Sequence, residues 1–307
     1  MLKNPLVIVT GCSGFLGKNL INELATKEVD VLGIDKAAED GYGHKNIKIN
    51  RLDILTQNGM AILRRYLNKV KNKEIYLVHL MGIPDVDECE KNKALAYDVN
   101  VKSVKSVWEL ARNYNMKKIV FPSTALVYGT KYEDQINEGF SLFPENTYAR
   151  EKLEAENYLI NNSAGSKVDS VILRLSNIYG VGMNENNVVN TILKQFAAGY
   201  LRLREYRSVR DYVYVEDVIR AFIMSIFSEC KFKVYNVGSS MGYSVWELAK
   251  TIAVATGREK IILGMNLSEE EIRGSARLVL CCDRIKNDLK WVPDYNFESG
   301  IKRMMNA

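Results

Sequence analysis

Five segments within the first 125 residues are short, apolar and rich in Val and Ile: Leu6–Thr10, Val29–Asp35, Ile47–Leu52, Ile75–Met81 and Lys118–Ser123. Near-continuous apolar runs of this length are the pattern of parallel strands covered on both faces. The stretches Gly14–Lys27, Gly59–Lys71 and Ala94–Tyr114 between them read as helices. Strand and helix therefore alternate, which predicts a doubly wound parallel α/β sheet. Downstream, Tyr148–Asn161 reads as a helix and Ser170–Leu175 as a further apolar strand. Val213–Glu229 begins as a strand and turns helical at Val215.

The rest of the chain is less regular. Asn187–Gly199 and Ser244–Gly257 predict helices, Ser268–Ser275 an acidic turn or short helix, and Arg277–Cys282 a strand. Trp291-Val292-Pro293 predicts the end of a helix, and no repeat or low-complexity linker interrupts the chain. The expected organisation is a first domain over residues 1–175, to which 212–238 returns. A smaller, interwoven lobe covers 176–307, mainly 176–211 and 239–307.

Composition narrows the class. Of 307 residues, 47% are apolar and 26% charged, which argues against disorder, a collagen helix and a coiled-coil rod. No apolar run approaches the ~20 residues of a membrane span. The chain passes from Met1-Leu2-Lys3-Asn4 into its first strand without a signal-peptide core. The expectation is a soluble, cytoplasmic protein with no membrane partner. Five cysteines without CxxC spacing and only two histidines, His44 and His79, argue against a disulfide framework or a metal centre. A net charge of +5 suits an anionic small molecule, and no Lys/Arg run of the kind that tracks nucleic acid is present.

The segment Gly11-Cys12-Ser13-Gly14-Phe15-Leu16-Gly17 lies between a predicted strand and a predicted helix. Glycines there allow a tight turn and let backbone N–H groups approach a pyrophosphate at the helix N-terminus. The second strand ends at Asp35, where a carboxylate can accept hydrogen bonds from adenosine ribose hydroxyls and repel a 2′-phosphate. NAD is thereby favoured over NADP, with Lys36 next to the same site. Further along, Tyr148-Ala149-Arg150-Glu151-Lys152 sets a phenol and an ammonium one helical turn apart. An ammonium favours the phenolate, and a phenolate can take a proton from a sugar hydroxyl while hydride leaves the same carbon.

Together, the GxxGxxG turn, Ser123-Thr124-Ala125-Leu126-Val127-Tyr128-Gly129 and Tyr148-xxx-Lys152 resemble an extended short-chain dehydrogenase/reductase of the NAD-dependent epimerase/dehydratase group. The resemblance extends to His79-Leu80-Met81-Gly82, Asn100-Val101-Lys102-Ser103, Arg174–Gly180, Arg210–Val218, Tyr235–Gly238 and Leu289–Pro293. It implies a Rossmann-type fold with NAD held by Gly11, Ser13, Gly14, Phe15, Leu16, Gly17, Asp35 and Lys36. Asp53, Ile54, Leu80, Met81, Gly82, Asn100, Ser123, Tyr148 and Lys152 complete the implied cofactor set. Thr124, Tyr148 and Lys152 would be catalytic, with Thr124 on the reacting sugar oxygen. Asn177, Arg210 and Arg273 would bind the substrate diphosphate, and His79 would pack at a strand end. A homodimer through Ala94–Tyr114 and Tyr148–Asn161 is also implied.

The residues after Thr124 bear on the reaction. Dehydratases of this group carry Asp-Glu there, and this chain has Ala125-Leu126, so dehydration is disfavoured. The Ser123–Gly129 segment is similar to that of UDP-galactose 4-epimerases, and Asp35 fits an enzyme that retains NAD. The expected activity is NAD-dependent epimerisation of a nucleotide sugar, at C4 of a UDP-hexose. The alternatives are a nucleotide-linked 4-keto-sugar reductase using NAD(P)H and a non-catalytic dinucleotide-binding regulator. Where such epimerases carry Gly-Asp-Gly before the Arg210 segment, this chain has Arg204-Glu205-Tyr206, followed by Arg207.

Overall fold

The structure, a computed structural model, describes residues 4–38, 44–70, 72–203, 206, 208–263 and 276–306. In chain order the first elements are β1 (Leu6–Thr10), α1 (Phe15–Ala25), β2 (Asp30–Asp35), β3 (Ile47–Arg51), α2 (Gln57–Val70) and β4 (Ile75–His79). Then come α3 (Val86–Lys91), α4 (Lys93–Tyr97), a π-helical turn (Asp98–Lys102), α5 (Ser103–Asn113), β5 (Lys118–Thr124) and α6 (Thr147–Ser163). They are followed by β6 (Asp169–Leu175), β7 (Asn177–Tyr179), α7 (Val188–Ala197), β8 (Val209–Tyr214), α8 (Val215–Phe227) and β9 (Phe232–Val237). The chain closes with β10 (Gly242–Ser244), α9 (Val245–Thr256), α10 (Glu259–Leu263), β11 (Arg277–Leu278), α11 (Asp283–Leu289) and α12 (Phe297–Met305).

The chain divides into two compact units. The first, residues 1–127, 143–174 and 222–235, is built on a seven-stranded sheet of order β3-β2-β1-β4-β5-β6-β9. This is the doubly wound Rossmann-type order the apolar runs predict. Leu6 pairs with Asp30 and Ile75, and Thr10 with Ile34 and His79, so three strands end level with one another. On one face Leu6, Ile8, Leu32, Ile34 and Leu77 meet Leu63, Leu67, Val104 and Trp108 of the covering helices in one buried core. The second unit, residues 128–142, 175–221 and 236–307, holds a small sheet in which β8 pairs with β7, β10 and β11.

Three segments depart from the sequence pattern. The fourth strand stops at His79: Leu80 N makes the last ladder bond, to Thr10 O, and the Leu80–Met81 peptide then lies directly against Gly11. The helix predicted over Ala94–Tyr114 contains the π turn at Asp98–Lys102, where Asn100 spends its side chain on Ile83. Arg277–Cys282 is a strand only at Arg277–Leu278, since Leu280 N donates to the Asp211 carboxylate. Ser268–Ser275 lies outside the described residues. Among those residues no helix is long and apolar enough to cross a membrane.

Helix α6 packs inside the first unit with two acids on its buried side. Glu156 is 0% exposed, and Arg174 at the end of β6 meets it from both Nε (3.1 Å) and Nη2 (2.7 Å). Breaking one partner of such a pair strands a charge in the interior, at about 3–5 kcal/mol. Arg174→Met should therefore lower the urea-unfolding free energy by that amount, and Arg174→Met with Glu156→Leu should recover most of it. An equal loss in the double variant would show that the uncompensated charge is not the cause.

Candidate active site

Gly11 opens the turn after β1 with φ +70°, and a Cβ there would stand 2.7 Å from Met81 N. A Cβ on Gly17 would stand 2.3 Å from Gly11 O, so α1 lies directly against the turn through bare backbone. Gly14 caps α1 without a side-chain hydrogen bond, which leaves the N–H groups of Phe15, Leu16 and Gly17 for an anion. Ser13 N donates to Asp35 Oδ2 at 3.1 Å and Ala37 N to Asp35 Oδ1 at 2.9 Å, which fixes the carboxylate beside the turn.

Around this turn opens a cleft of about 240 Å³. It brings together Gly11, Gly14, Asp35, Lys36, Asp53, Ile54, Leu80, Met81 and Gly82, all predicted from the sequence. Asp53 Oδ1 accepts from Leu55 N, and a Cβ on Gly59 would stand 1.9 Å from Asp53 O, so that glycine is what lets the Asp53 turn close. Ser13, Phe15, Leu16, Gly17 and Ser123 do not line the cleft wall. The Ser123 hydroxyl is buried without a hydrogen-bond partner among the described residues. A glycine cradle, uncapped amides and a carboxylate at the end of β2 fit a dinucleotide. Among the described residues no group of His, Cys, Asp and Glu could hold a metal ion.

Tyr148 and Lys152 stand one turn apart at the start of α6, whose first turn is capped by Asn146 Oδ1 accepting from Ala149 N. Lys152 is buried, and its Nζ lies 4.2 Å from the Phe121 ring centroid with no hydrogen-bond partner among the described residues. Burial pushes the Lys152 ammonium down to about 7, against the opposing charge of Glu156. The half-buried Tyr148 phenol also has no partner among them, and burial holds it above its ordinary value. Thr124 ends β5; its Oγ1 accepts from Leu126 N at 3.2 Å, so its own hydrogen is available to donate.

His79 does more than pack. Ser103 Oγ donates to Val99 O and so accepts from His79 Nε2, which leaves Nδ1 to accept from Thr10 Oγ1 at 2.8 Å. Burial, with the nearby Lys152 charge, pushes the imidazole down to about 3, so the ring is neutral. The chain Thr10–His79–Ser103 ties two strand ends to the helical segment behind the cleft. Asn100 contacts Ile83, which does line the cleft, and does not line it itself. The single sequence signal for this layer was polar residues at positions whose period is buried: His79, Asn100, Ser103 and Glu151.

The proposed diphosphate ligands belong to the second unit. Asn177 Nδ2 donates to Asp211 O at 3.2 Å, which sets it beside the strand that carries Arg210. The Arg210 guanidinium donates through Nη1 to Val209 O and Ala276 O, both at 3.0 Å. Arg273, Arg204, Glu205 and Arg207 lie outside the described residues.

Residues 7–238 match the NAD dependent epimerase/dehydratase family. The UDP-glucose 4-epimerase of Bacillus subtilis is 25% identical over 82% of this chain and 83% of its own length. The dTDP-4-dehydro-6-deoxyglucose reductase of Escherichia coli is 26% identical over 98% of this chain and 96% of its own. A crystal structure of UDP-glucose 4-epimerase from Thermotoga maritima, with UDP-glucose, superposes with a TM-score of 0.84 at 23% identity, covering 98% of this chain and 97% of that one. A match running from β1 through β9, over most of the chain, makes this protein a member of the NAD-dependent epimerase/dehydratase family within the extended short-chain dehydrogenases/reductases, with NAD as its cofactor.

Proposed function

We propose that the protein is a nucleotide-sugar epimerase that inverts C4 of a UDP-hexose through a transient 4-keto sugar. The observation that carries this reading is a phenol and an ammonium, one turn apart on α6, with no hydrogen-bond partner for either among the described residues. Gly11, Gly14 and the amides of Phe15, Leu16 and Gly17 would hold the dinucleotide pyrophosphate. Asp35 and Lys36 would meet the adenosine ribose, and Asp53 and Ile54 the adenine. Leu80, Met81, Gly82 and Ser123 would flank the cofactor. Bound NAD would supply the hydride acceptor and donor, and inversion would follow from the keto sugar turning over between the two transfers.

The protein's share is proton control. Burial drives both Tyr148 and Lys152 toward neutral forms. Lys152 would hold the nicotinamide ribose, and hydroxyl acceptors at its Nζ would favour the charged form. A charged ammonium one turn away, together with the amides at the N-terminus of α6, then favours the Tyr148 phenolate. Tyr148 takes the proton from the sugar 4-hydroxyl and gives it back after the hydride returns, while Thr124 donates to the same oxygen. Ala125 and Leu126 come next in a short 3₁₀ turn with no carboxylate, which leaves elimination of water without an acid or base. Asn177, Arg210 and Arg273 are assigned to the substrate diphosphate, and a homodimer through Ala94–Tyr114 and Tyr148–Asn161 belongs to the same reading.

The likeness to the E. coli reductase, as extensive as that to the epimerases, supports one second reading: one-way reduction of a 4-keto sugar. Asp35 separates the two. Purified protein, denatured and chromatographed, should release close to one NAD per chain and should convert UDP-glucose without added cofactor. An empty protein that oxidises NADPH with a 4-keto sugar would establish the reductase instead.

Tyr148→Phe should retain bound NAD and lose about 10²–10⁴-fold in turnover, measured with UDP-glucose. Turnover within a few-fold of wild type would rule Tyr148 out as the base. Lys152 gives a pH signature. Its folded value of about 7 lies below the unfolded value near 10, so between these limits the unfolded chain binds more protons and stability rises with pH. The NAD-free protein should gain stability from pH 7 to 9.5 in urea titrations, and Lys152→Met should flatten that slope.

A further inference from the structure

Glu151 takes no part in the proposed epimerisation, yet it is only 6% exposed. Its Oε2 accepts a hydrogen bond from Asn100 Nδ2 at 2.8 Å. Asn100, in the π turn, is 1% exposed; its Oδ1 accepts from Ile83 N at 2.8 Å, and its Nδ2 also donates to Ile83 O at 3.2 Å. The fit is tight, since a Cβ on the neighbouring Gly82 would stand 3.3 Å from Asn100 Oδ1. An ionised carboxylate only accepts, so it can face only the Nδ2 end of the amide. Reversing the amide would set oxygen against carboxylate and N–H against Ile83 N–H.

We propose that Glu151 is a positioning residue that orients the Asn100 amide and thereby clamps the Gly82–Ile83 wall of the cofactor cleft to helix α6, the helix of Tyr148 and Lys152. The importance of that helix to turnover rests on the epimerase reading; the clamp on NAD does not. Burial raises the Glu151 carboxyl, aided by Glu154 and Glu90, while the Asn100 N–H and Arg150 oppose the rise, as a bond to the ionised form requires.

The test is the rate at which NAD leaves the holoenzyme after dilution. Glu151→Ala should speed loss about tenfold, the scale of losing a hydrogen bond to a charged group. Glu151→Gln, whose amide oxygen can accept the same N–H, should stay within about threefold of wild type. In Asn100→Ala, adding Glu151→Ala should change the rate little, because the two act as one unit. Should Glu151→Ala fail to fold, Glu151→Met fills the space without an acceptor and carries the same expectation. Unchanged loss in Glu151→Ala, equal effects of Ala and Gln, or additive effects with Asn100→Ala would overturn the clamp. A clamp that holds in a wild type unable to epimerise UDP-glucose would sink the sugar reading alone.

Discussion

A charge taken into a protein interior without a partner costs several kcal/mol, and helix α6 takes three: Glu151, Lys152 and Glu156. The first unit is arranged around answering them. Arg174, from the end of β6, closes on Glu156 through two nitrogens. Asn100, from the π turn, answers Glu151. Lys152 alone of the three has no hydrogen bond among the described residues; the Phe121 ring face and the nearby Glu156 charge are what the protein offers it. A cation left short of acceptors is one that a ligand can satisfy, and its two acidic neighbours are locked elsewhere. Were Glu156 not held by Arg174, it could turn to Lys152 and quench it.

The second constraint is closeness of backbone. Gly11 and Gly17 bring the β1 turn, the Leu80–Met81 peptide and helix α1 within distances that no side chain permits. The strand register makes this closeness coincide with the carboxylate of Asp35, because Thr10 pairs with Ile34, one residue short of it. Behind the turn, a neutral His79 spans Thr10 and Ser103 and fastens the strand ends without adding a charge next to Lys152. A protonated imidazole there would push the ammonium further toward neutrality.

These two constraints explain what the sequence made legible. Asp53 and Leu80–Gly82 were placed through the family resemblance, whereas Gly11, Gly14 and Asp35 could be placed because backbone permissiveness and a strand end leave marks at fixed spacings. The same holds for Tyr148 and Lys152, whose spacing is a helical turn. Asn100 was marked by the resemblance as a cofactor neighbour, but its pairing with Glu151 was not. Their meeting depends on a π turn that adds a residue to the helix after α4, a register that periodicity does not encode. The Lys152 environment was likewise hidden, since it comes from Phe121 on another strand. In the second unit, β7 and β10 are three residues each and β11 two, too short for any alternation to show. Asp211 decides the course of the chain after Leu278 by drawing the N–H groups of Ser239, Ser240 and Leu280 onto its carboxylate.

On the proposed reading, the division of labour between scaffold and chemistry falls at Thr124. Everything upstream of it, from the glycine turn to the end of β5, serves to hold a dinucleotide, and a reductase or a dehydratase needs the same. Tyr148 and Lys152 of α6 serve one proton transfer at the sugar oxygen, which an epimerase and a dehydratase make in oxidising the sugar and a reductase makes in the reverse direction. The fates of the keto sugar part only afterwards. Elimination needs an acid and a base near the sugar, and Ala125 and Leu126 provide neither. Net reduction needs cofactor exchange, and a carboxylate fixed by Ser13 N and Ala37 N stands against the 2′-phosphate of the usual biosynthetic reductant. Return of the hydride to the other face needs a retained cofactor, a keto sugar free to turn over in the site, and a tyrosine able to give its proton back. The proposed epimerisation thus leans on two features of the chain, the Ala125-Leu126 pair after Thr124 and the way Asp35 is held.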